Sequence, residues 1–301
     1  MANLEVDFAG IPLKNLLTAA SGTFGFGLEY HKVQAIDVFG AIITKGLTLE
    51  PRPGNQGVRI CETPSGLLNS IGLANPGLEV FRRDILPELK KTGATVIVNI
   101  AGKKPEEYME LSEALSRVNG VSGIELNISC PNVEKGMEFG VDADLTYYLV
   151  KSVRETTELP LIVKLTPNAP DINAVALATQ EAGADGLSLI NTVKGMAIDI
   201  HRKKPVFNNK VAGLSGPAIK PIALKEVYNV SRSVSLPVMG VGGITDYRDV
   251  IEFILAGASA VSLGSINFVN PQAVQQISQD LNLYMKREGY SNIFQMQGLA
   301  W

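Results

Sequence analysis

Residues 161–190 read LIVKLTPNAPDINAVALATQEAGADGLSLI and contain one strand–helix–strand unit. An apolar run at 161–165 is followed by an amphipathic stretch at 172–182 and by a second apolar run at 186–190. The continuous Val/Ile/Leu character of both runs is typical of parallel strands that are covered on both faces. Gly183 stands where a left-handed residue is expected to end the helix before the next strand begins.

The same alternation runs through the whole chain. The predicted strands cover residues 15–20, 41–45, 95–100, 123–128, 161–165, 186–190, 237–241 and 260–263. The predicted helices cover residues 30–37, 78–91, 106–118, 144–156, 172–182, 218–230, 248–256 and 272–287. Eight successive β-then-α units favour a closed (β/α)₈ TIM barrel over an open sheet. A chain of 301 residues suits one such barrel, so we expect residues 1–301 to form a single domain.

Three segments fall outside the simple alternation. Residues 4–13 alternate apolar and polar positions around Gly10, which predicts a small hairpin capping the bottom of the barrel. Residues 46–76 and 192–216 are too long for simple loops. Barrels place their sites at the C-terminal ends of the strands, so we expect both insertions to border a functional site.

Composition excludes several classes of protein. With 46% hydrophobic residues, 19% charged residues and a net charge of −3, the chain is neither disordered nor suited to nucleic acid. The cysteines, Cys61 and Cys130, make neither a disulfide framework nor the four-thiolate set of an iron–sulfur cluster. His31 and His201 stand apart, so we expect surface residues and no metal site. Neither a signal peptide nor a membrane span is recognisable, so we expect a cytoplasmic protein.

Residues that can hydrogen-bond or titrate follow most of the predicted strands. They are Ser21, Lys45, Asn99, Asn127, Cys130, Lys164, Asn191, Gly242, Gly243, Gly264 and Ser265. The carboxyl ends of barrel strands meet at one face, so these residues are predicted to converge on a site.

Glycines after the seventh and eighth strands suit a phosphate group. Gly242-Gly243 and Gly264-Ser265 could present backbone N–H groups to an anion, as loops at these positions commonly do in barrels. The alternative is that these glycines only form tight turns.

Two lysines and a cysteine are the candidate reactive groups. Lys45 and Lys164 could pair with a flavin, stabilise an anionic substrate or form a Schiff base, or could extend to the rim of the barrel. Cys130 precedes a proline and a glycine-bearing loop, residues 131–140, that could act as a lid. Its thiol could be a base or a nucleophile, or a small buried apolar group. Cys61 has no such setting and is interpreted as structural.

Four asparagines add amide groups to the same face. Asn69, Asn127, Asn132 and Asn191 suit a small, flat, amide-bearing ligand that carries a carboxylate, although asparagine is also common in surface turns.

Five motifs together resemble those of dihydroorotate dehydrogenases, within them the class 1B, NAD-linked type. They are ASGTFGFG (20–27), KGLTLEPRPGN (45–55), LNSIGLANPG (68–77), ELNISCPN (125–132) and GLSGPAIKP (213–221). Position 130 holds a cysteine and not a serine, and in this it resembles class 1 enzymes and not the membrane-associated class 2.

The resemblance implies a set of roles for individual residues. The residues implied to hold FMN are Ser21, Lys45, Asn99, Asn127, Lys164, Ile190, Gly216, Gly242, Gly243, Gly264 and Ser265. Those implied to hold dihydroorotate are Lys45, Asn69, Ser70, Ile71, Gly72, Leu73, Asn127, Asn191 and Thr192. Cys130 would take a proton from carbon 5 of dihydroorotate while a hydride leaves carbon 6 for the flavin.

The resemblance also implies a route for the electrons. A partner subunit carrying FAD and a [2Fe–2S] cluster would pass them to NAD⁺, in a heterotetramer built on a homodimer of this chain. Fumarate, the acceptor of class 1A relatives, is an alternative. From other classes, a Schiff-base aldolase using Lys164 and a non-catalytic barrel that binds a phosphorylated ligand remain alternatives.

Overall fold

The computed structural model describes residues 4–129 and 139–301. In chain order the strands are β1 (Val6–Phe8), β2 (Ile11–Leu13), β3 (Leu17–Ala19), β4 (Ile42–Ile43), β5 (Ile60–Thr63), β6 (Gly66–Asn69), β7 (Val96–Ile100), β8 (Gly123–Asn127), β9 (Leu161–Leu165), β10 (Gly186–Leu189), β11 (Val193–Gly195), β12 (Ile198–Asp199), β13 (Lys204–Pro205), β14 (Ala212–Ser215), β15 (Val238–Val241) and β16 (Ala260–Leu263).

Helices follow most of the barrel strands. They are α1 (Leu28–His31), α2 (Leu78–Val80), α3 (Leu86–Lys91), α4 (Pro105–Ser116), α5 (Ala143–Arg154), α6 (Ile172–Glu181), α7 (Lys220–Ser231), α8 (Tyr247–Leu255), α9 (Ile266–Val269) and α10 (Ala273–Glu288). Within the described ranges, none of these helices combines the length and the apolar character needed to cross a membrane.

Eight parallel strands close into a barrel in the order β3, β4, β7, β8, β9, β10, β15 and β16, which pairs again with β3. All residues of β9 and β10 are buried, as expected for strands enclosed by side chains inside and helices outside. The predicted (β/α)₈ TIM barrel is therefore confirmed, with each predicted strand at its expected place.

Aspartates begin three of the outer helices. The side chains of Asp142, Asp171 and Asp246 accept hydrogen bonds from backbone N–H groups in the first turn of α5, α6 and α8. After α6 and α8, Gly183 (φ +91°) and Gly257 (φ +113°) take the left-handed conformation that lets the chain turn into the next strand.

The predicted helix over residues 78–91 is interrupted. Helical backbone covers the whole span, but a π-helical turn, Phe81–Ile85, lies between α2 and α3. Pro87 lies in the first turn of α3 and has no N–H to donate to the preceding turn. The π-helical turn therefore lies where the backbone N–H of residue 87 is missing.

The predicted helix over residues 30–37 is wrong. The structure has only the short α1 and a 3₁₀ turn, Ile36–Val38, in this region. Val33 is 62% exposed, so the segment lacks the continuous buried stripe that stabilises a surface helix. Tyr30 instead stacks on Phe24 and donates its hydroxyl to the Thr23 carbonyl.

The N-terminal hairpin is confirmed at the bottom of the barrel. Strands β1 and β2 pair antiparallel. Phe8 lies against Gly186 at the start of β10, and Ile11 lies against Gly123 at the start of β8. The hairpin therefore covers the amino ends of the barrel strands with apolar side chains.

The two long insertions pair with each other at the opposite end. Strands β5 and β6 come from the first insertion and β11 and β14 from the second, and they form one antiparallel sheet in the order β11-β14-β6-β5. We call it the canopy sheet. Gly66 allows close pairing of β6 with β14, since a Cβ there would lie 2.1 Å from the Ser215 carbonyl oxygen.

Candidate active site

A cavity of about 560 Å³ lies between the C-terminal end of the barrel and the canopy sheet. Its volume is in the range usual for small-molecule and cofactor sites. Its lining residues are Ser21, Gly22, Thr23, Lys45, Gly46, Ile60, Leu67, Asn69, Ser70, Ile71, Gly72, Leu73, Asn127, Ser129, Lys164, Asn191, Thr192, Ser215 and Phe268.

Most of the predicted site residues meet at this cavity. Of the residues expected to hold FMN, Ser21, Lys45, Asn127 and Lys164 line it, as do all those expected to hold dihydroorotate. Asn99 and Ile190 are buried and do not line it, with Ile190 donating its N–H to the Val241 carbonyl. Cys130 and residues 131–138 of the predicted lid lie outside the described residues.

The floor of the cavity carries a buried ionic group. Lys164 is 6% exposed, and its Nζ lies 3.8 Å from Oε1 of Glu125, which is fully buried inside the barrel. Glu125 also accepts hydrogen bonds of 2.6 Å from Asn99 and from Ser188. Lys164 is therefore a paired cation at the floor and not a lysine extended to the rim.

One acceptor beside this group has no partner. The Asn99 amide nitrogen is engaged by Glu125, but its oxygen Oδ1 is buried and accepts no hydrogen bond from the described residues. A Cβ on Gly46, which lines the cavity, would lie 3.1 Å from this oxygen. Buried polar atoms are normally satisfied, so the position of Oδ1 suits a donor on a ligand.

An amide cluster forms one wall. The Asn191 amide donates to the Ser129 hydroxyl at 2.9 Å and to the Asn127 side-chain oxygen Oδ1 at 3.4 Å. The Ser129 backbone N–H also donates to the Asn127 side chain, and the Thr192 N–H donates to the Asn191 side chain. The side chains at the ends of β8 and β10 are thus fixed relative to each other.

The canopy sheet supplies the opposite wall. Asn69, at the end of β6, donates to the Gly213 carbonyl of β14 at 3.2 Å. Asn55 holds the following segment by donating to the carbonyl and hydroxyl of Ser70. Gly72 (φ +74°) packs so closely on Asn55 that a Cβ would lie 2.4 Å from the Asn55 side-chain oxygen. Residues 69–73 are therefore held over the cavity by contacts within the first insertion and by the sheet.

Lys45 is a half-buried cation at the edge of the cavity. Its backbone N–H donates to the Gly25 carbonyl at 2.8 Å, which ties the end of β4 to the loop that carries Ser21. Burial lowers the pKa of the Lys45 ammonium; Glu29 raises this pKa, Arg59 lowers it, and the net shift is downward. A ligand anion at this place would stabilise the charged form.

The predicted phosphate loops cluster beside the cavity. Gly243 packs against Gly216 and the start of α7, since a Cβ on it would lie 2.8 Å from the Lys220 nitrogen and 2.9 Å from the Gly216 oxygen. Gly264 is open around its Cα: among the described residues other than its chain neighbours, only Ala20 has an atom within 4 Å of where a Cβ would stand. The backbone N–H groups of Gly242, Gly243, Gly264 and Ser265 donate no hydrogen bond within residues 4–129 and 139–301, so they remain available to an anion.

Comparison with known proteins places this geometry in a family. The sequence profile of dihydroorotate dehydrogenase matches residues 3–285. The chain belongs to the dihydroorotate dehydrogenase family. It is 50% identical over 297 residues to a protein of Caldicellulosiruptor saccharolyticus and 51% identical over 297 residues to one of Caldicellulosiruptor bescii, covering 98% of both chains in each case. A protein of Desulforamulus reducens is 49% identical over 299 residues, covering 99% of this chain and 98% of the relative. All three are named dihydroorotate dehydrogenase B (NAD(+)), catalytic subunit.

Sequence reasoning missed several residues of this member of the dihydroorotate dehydrogenase family. Glu125 and Ser188 lie beneath the floor, and Ser129, Ser215 and Phe268 line the cavity. A signal existed for Glu125, because a charged residue in the otherwise apolar run Gly123–Asn127 must have a buried partner. Ser129, Ser215 and Phe268 carry no such signal.

An ionic brace supports the loop after β15. Lys220, at the start of α7, binds Asp249 at 2.7 Å and Glu252 at 3.0 Å, and Asp249 accepts from the N–H and hydroxyl of Thr245. Burial raises the pKa of Asp249, but the hydrogen bonds from Lys220 and Thr245 outweigh it and hold that pKa below its usual value. The brace joins the segment after Gly243 to the helix on which that glycine packs.

We expect Lys220→Met to lower the free energy of unfolding at pH 7 by roughly 2 kcal/mol, because it leaves the mostly buried Asp249 carboxylate without its cation. The folded-state pKa of Asp249 is depressed, so this stabilisation is present above the unfolded value of about 3.9 and is lost as the pH falls through the folded value. Urea unfolding should therefore show a difference from wild type that is constant from about pH 7 to 5 and shrinks below about pH 4.

The matched control is Lys91→Met, since Lys91 forms an exposed pair with Glu88 on α3. It should change the free energy of unfolding by less than about 0.5 kcal/mol. Equal losses in the two variants would contradict a specific role for the brace.

Proposed function

We propose that the protein is the catalytic subunit of an NAD-linked dihydroorotate dehydrogenase, which oxidises (S)-dihydroorotate to orotate in de novo pyrimidine (UMP) biosynthesis. The observation that carries this proposal is a cavity that combines Lys45, Lys164 and the amide cluster. The chain also matches catalytic subunits of that name over nearly their full length. Residues 1–301 would act as one FMN-binding domain.

The residues present fit FMN. The Asn99 oxygen, which accepts no hydrogen bond from the described residues, offers an acceptor to the edge of a flavin pyrimidine ring, and Lys164 offers a cationic donor. The backbone N–H groups after β15 and β16, which donate to none of the described residues, offer donors to a phosphate. The residues that would hold FMN are Ser21, Lys45, Asn99, Asn127, Lys164, Ile190, Gly216, Gly242, Gly243, Gly264 and Ser265. FMN, when bound, supplies a two-electron acceptor.

Dihydroorotate would lie against the two amide-bearing walls. Asn127, Asn191 and Thr192 on one side and residues 69–73 on the other present donors and acceptors that match the amide groups of a reduced pyrimidine. Lys45 would pair with the substrate carboxylate. Because the walls are held by hydrogen bonds between the elements, their polar groups are positioned before the substrate binds.

Cys130 would be the general base that takes the proton from carbon 5. It follows Ser129, which lines the cavity and is hydrogen-bonded to Asn127 and Asn191. Ser129, the residue directly before the thiol, is therefore held at the cavity wall. The loop over residues 131–140 would exclude water during the proton transfer.

The electrons would leave through a second subunit. Relatives of this chain are named catalytic subunits, which supports a separate subunit for electron transfer. We propose that the partner carries FAD and a [2Fe–2S] cluster and passes electrons to NAD⁺. The assembly would be a cytoplasmic heterotetramer around a homodimer of this chain.

We expect Cys130→Ala to slow the reduction of bound FMN by dihydroorotate by roughly 10²–10⁴-fold, because a general base contributes about that factor. The variant should still bind FMN. Anaerobic stopped-flow absorbance at the flavin band measures the rate directly.

Cys61→Ala is the matched control, since Cys61 is the other cysteine and lies on β5 of the canopy sheet. Its rate should match that of wild type. Wild-type rates in Cys130→Ala would remove the thiol from the mechanism.

Lys45→Met should weaken FMN binding by roughly tenfold or more, because it removes a charge-assisted contact. Without ligand it should be no less stable than wild type at pH 7. The folded-state pKa of Lys45 is lowered, so its charge disfavours folding below that pKa, and this cost disappears as the pH rises past the unfolded value of about 10.4.

Thermal unfolding of the ligand-free protein and FMN titration test the two halves of this prediction, with the exposed Lys14→Met as control. A variant that is clearly less stable and binds FMN normally would contradict it.

A further inference from the structure

Glu125 is a fully buried acid on the inside of the barrel. It lies on β8 two residues before Asn127, so both side chains project to the same face of the strand. Its neighbour across the strand pair is Asn99 of β7, and Asn127 is paired with Lys164 of β9. The carboxylate therefore lies one layer below the floor of the cavity.

Its contacts satisfy both carboxylate oxygens. Oε1 accepts from the Asn99 amide at 2.6 Å and lies 3.8 Å from the Lys164 ammonium, and Oε2 accepts from the Ser188 hydroxyl at 2.6 Å. A buried ion pair is weak evidence for stability, because apolar residues of similar volume often serve a core better. The arrangement therefore points to a role in the site above it.

The carboxylate determines which way the Asn99 amide faces. An ionised carboxylate only accepts hydrogen bonds, so the Asn99 NH₂ group must point toward it and the Asn99 oxygen away. That oxygen is buried, accepts no hydrogen bond from the described residues and lies beside Gly46 at the cavity. Glu125 thus turns Asn99 into an acceptor for whatever occupies the cavity.

The same carboxylate holds the Lys164 ammonium. Lys164 lines the cavity although only 6% of its surface is exposed, and Glu125 balances its charge from below. One acceptor and one cationic donor are therefore presented by β7 and β9, the two strands that flank β8. This pattern matches an imide edge, in which an N–H stands beside a carbonyl oxygen.

We propose that Glu125 is a positioning residue for FMN, an inference that rests on the proposed function. It orients the Asn99 oxygen and the Lys164 ammonium toward the flavin pyrimidine edge, and its negative charge helps to set the reduction potential of the bound flavin. It acts through these two residues and does not touch the cofactor.

The central variant is Glu125→Gln, which keeps the size of the side chain but replaces an acceptor oxygen with a donor. The new NH₂ group can donate to the Ser188 hydroxyl, which also accepts, while the remaining oxygen faces Asn99 and Lys164. The negative charge that balances the Lys164 ammonium is lost in either orientation of the new amide. We expect the Kd for FMN to rise roughly 5- to 150-fold, because the buried Lys164 ammonium is left without the counter-charge that holds it in place. We also expect the reduction potential of the remaining bound FMN to become more positive, because a negative charge near the flavin is lost.

Glu226→Gln is the matched control. Glu226 is also a mostly buried acid paired with a lysine, Lys225, but it lies on α7 outside the barrel. The Glu226→Gln variant should have the same Kd for FMN and the same flavin reduction potential as wild type. Glu125→Asp retains the charge, so its potential should stay close to wild type even if its Kd rises.

A double-mutant cycle covers the case in which Glu125→Gln does not fold. Since Glu125 acts partly through Asn99, the cost of Glu125→Asp in FMN affinity should shrink when Asn99→Ala is already present. Additive costs would overturn the proposal, as would a Glu125→Gln protein with wild-type Kd and potential. Failure of the wild-type protein to bind FMN would instead overturn the proposed function, so the two failures are distinguishable.

Discussion

The buried carboxylate of Glu125 is the interaction on which the floor of the cavity depends. Inside the barrel it joins three strands through Asn99, Lys164 and Ser188. An unpaired charge at this depth would be strongly destabilising, so the three partners and the carboxylate require one another. This arrangement orients the Asn99 oxygen and the Lys164 ammonium at the floor of the cavity.

The canopy sheet is the second constraint. Its strands come from two insertions separated by more than a hundred residues, and their pairing brings residues 69–73 opposite the amide cluster at the ends of β8 and β10. The barrel therefore supplies charges and amides from below, and the canopy sheet supplies a wall from above. A cavity enclosed in this way suits a reaction that must keep water from the reacting atoms.

The sequence predicted the barrel well because its signals are local. Each strand is a short apolar run, and two helices, α6 and α8, begin at an aspartate and are followed by a left-handed glycine. The failed helix over residues 30–37 has a different cause: the segment buries Gln34 and Ile36, which are two positions apart and would not share one face of a helix. Local propensity did not decide the outcome there.

Many residues of the site were predictable from the sequence, but the strand pairing and side-chain contacts that hold them were not. The strand-end positions of Lys45, Lys164 and Asn127 identified groups that the structure brings to one cavity. The pairing of β6 with β14 was not predictable, because nothing local in either insertion specifies a partner so far along the chain. Glu125 was missed for a related reason, because its role depends on contacts with Asn99 and Lys164, which lie on other strands.

The most direct test of the central claim follows the electrons from dihydroorotate. The purified chain with FMN is mixed with dihydroorotate without oxygen, and the flavin absorbance is recorded before and after NAD⁺ or fumarate is added. We expect dihydroorotate to bleach the flavin band, neither acceptor to restore it in the chain alone, and NAD⁺ to restore it when the electron-transfer subunit is present. A flavin that dihydroorotate does not bleach, or one that fumarate reoxidises in the chain alone, would contradict the proposed NAD-linked oxidation of dihydroorotate.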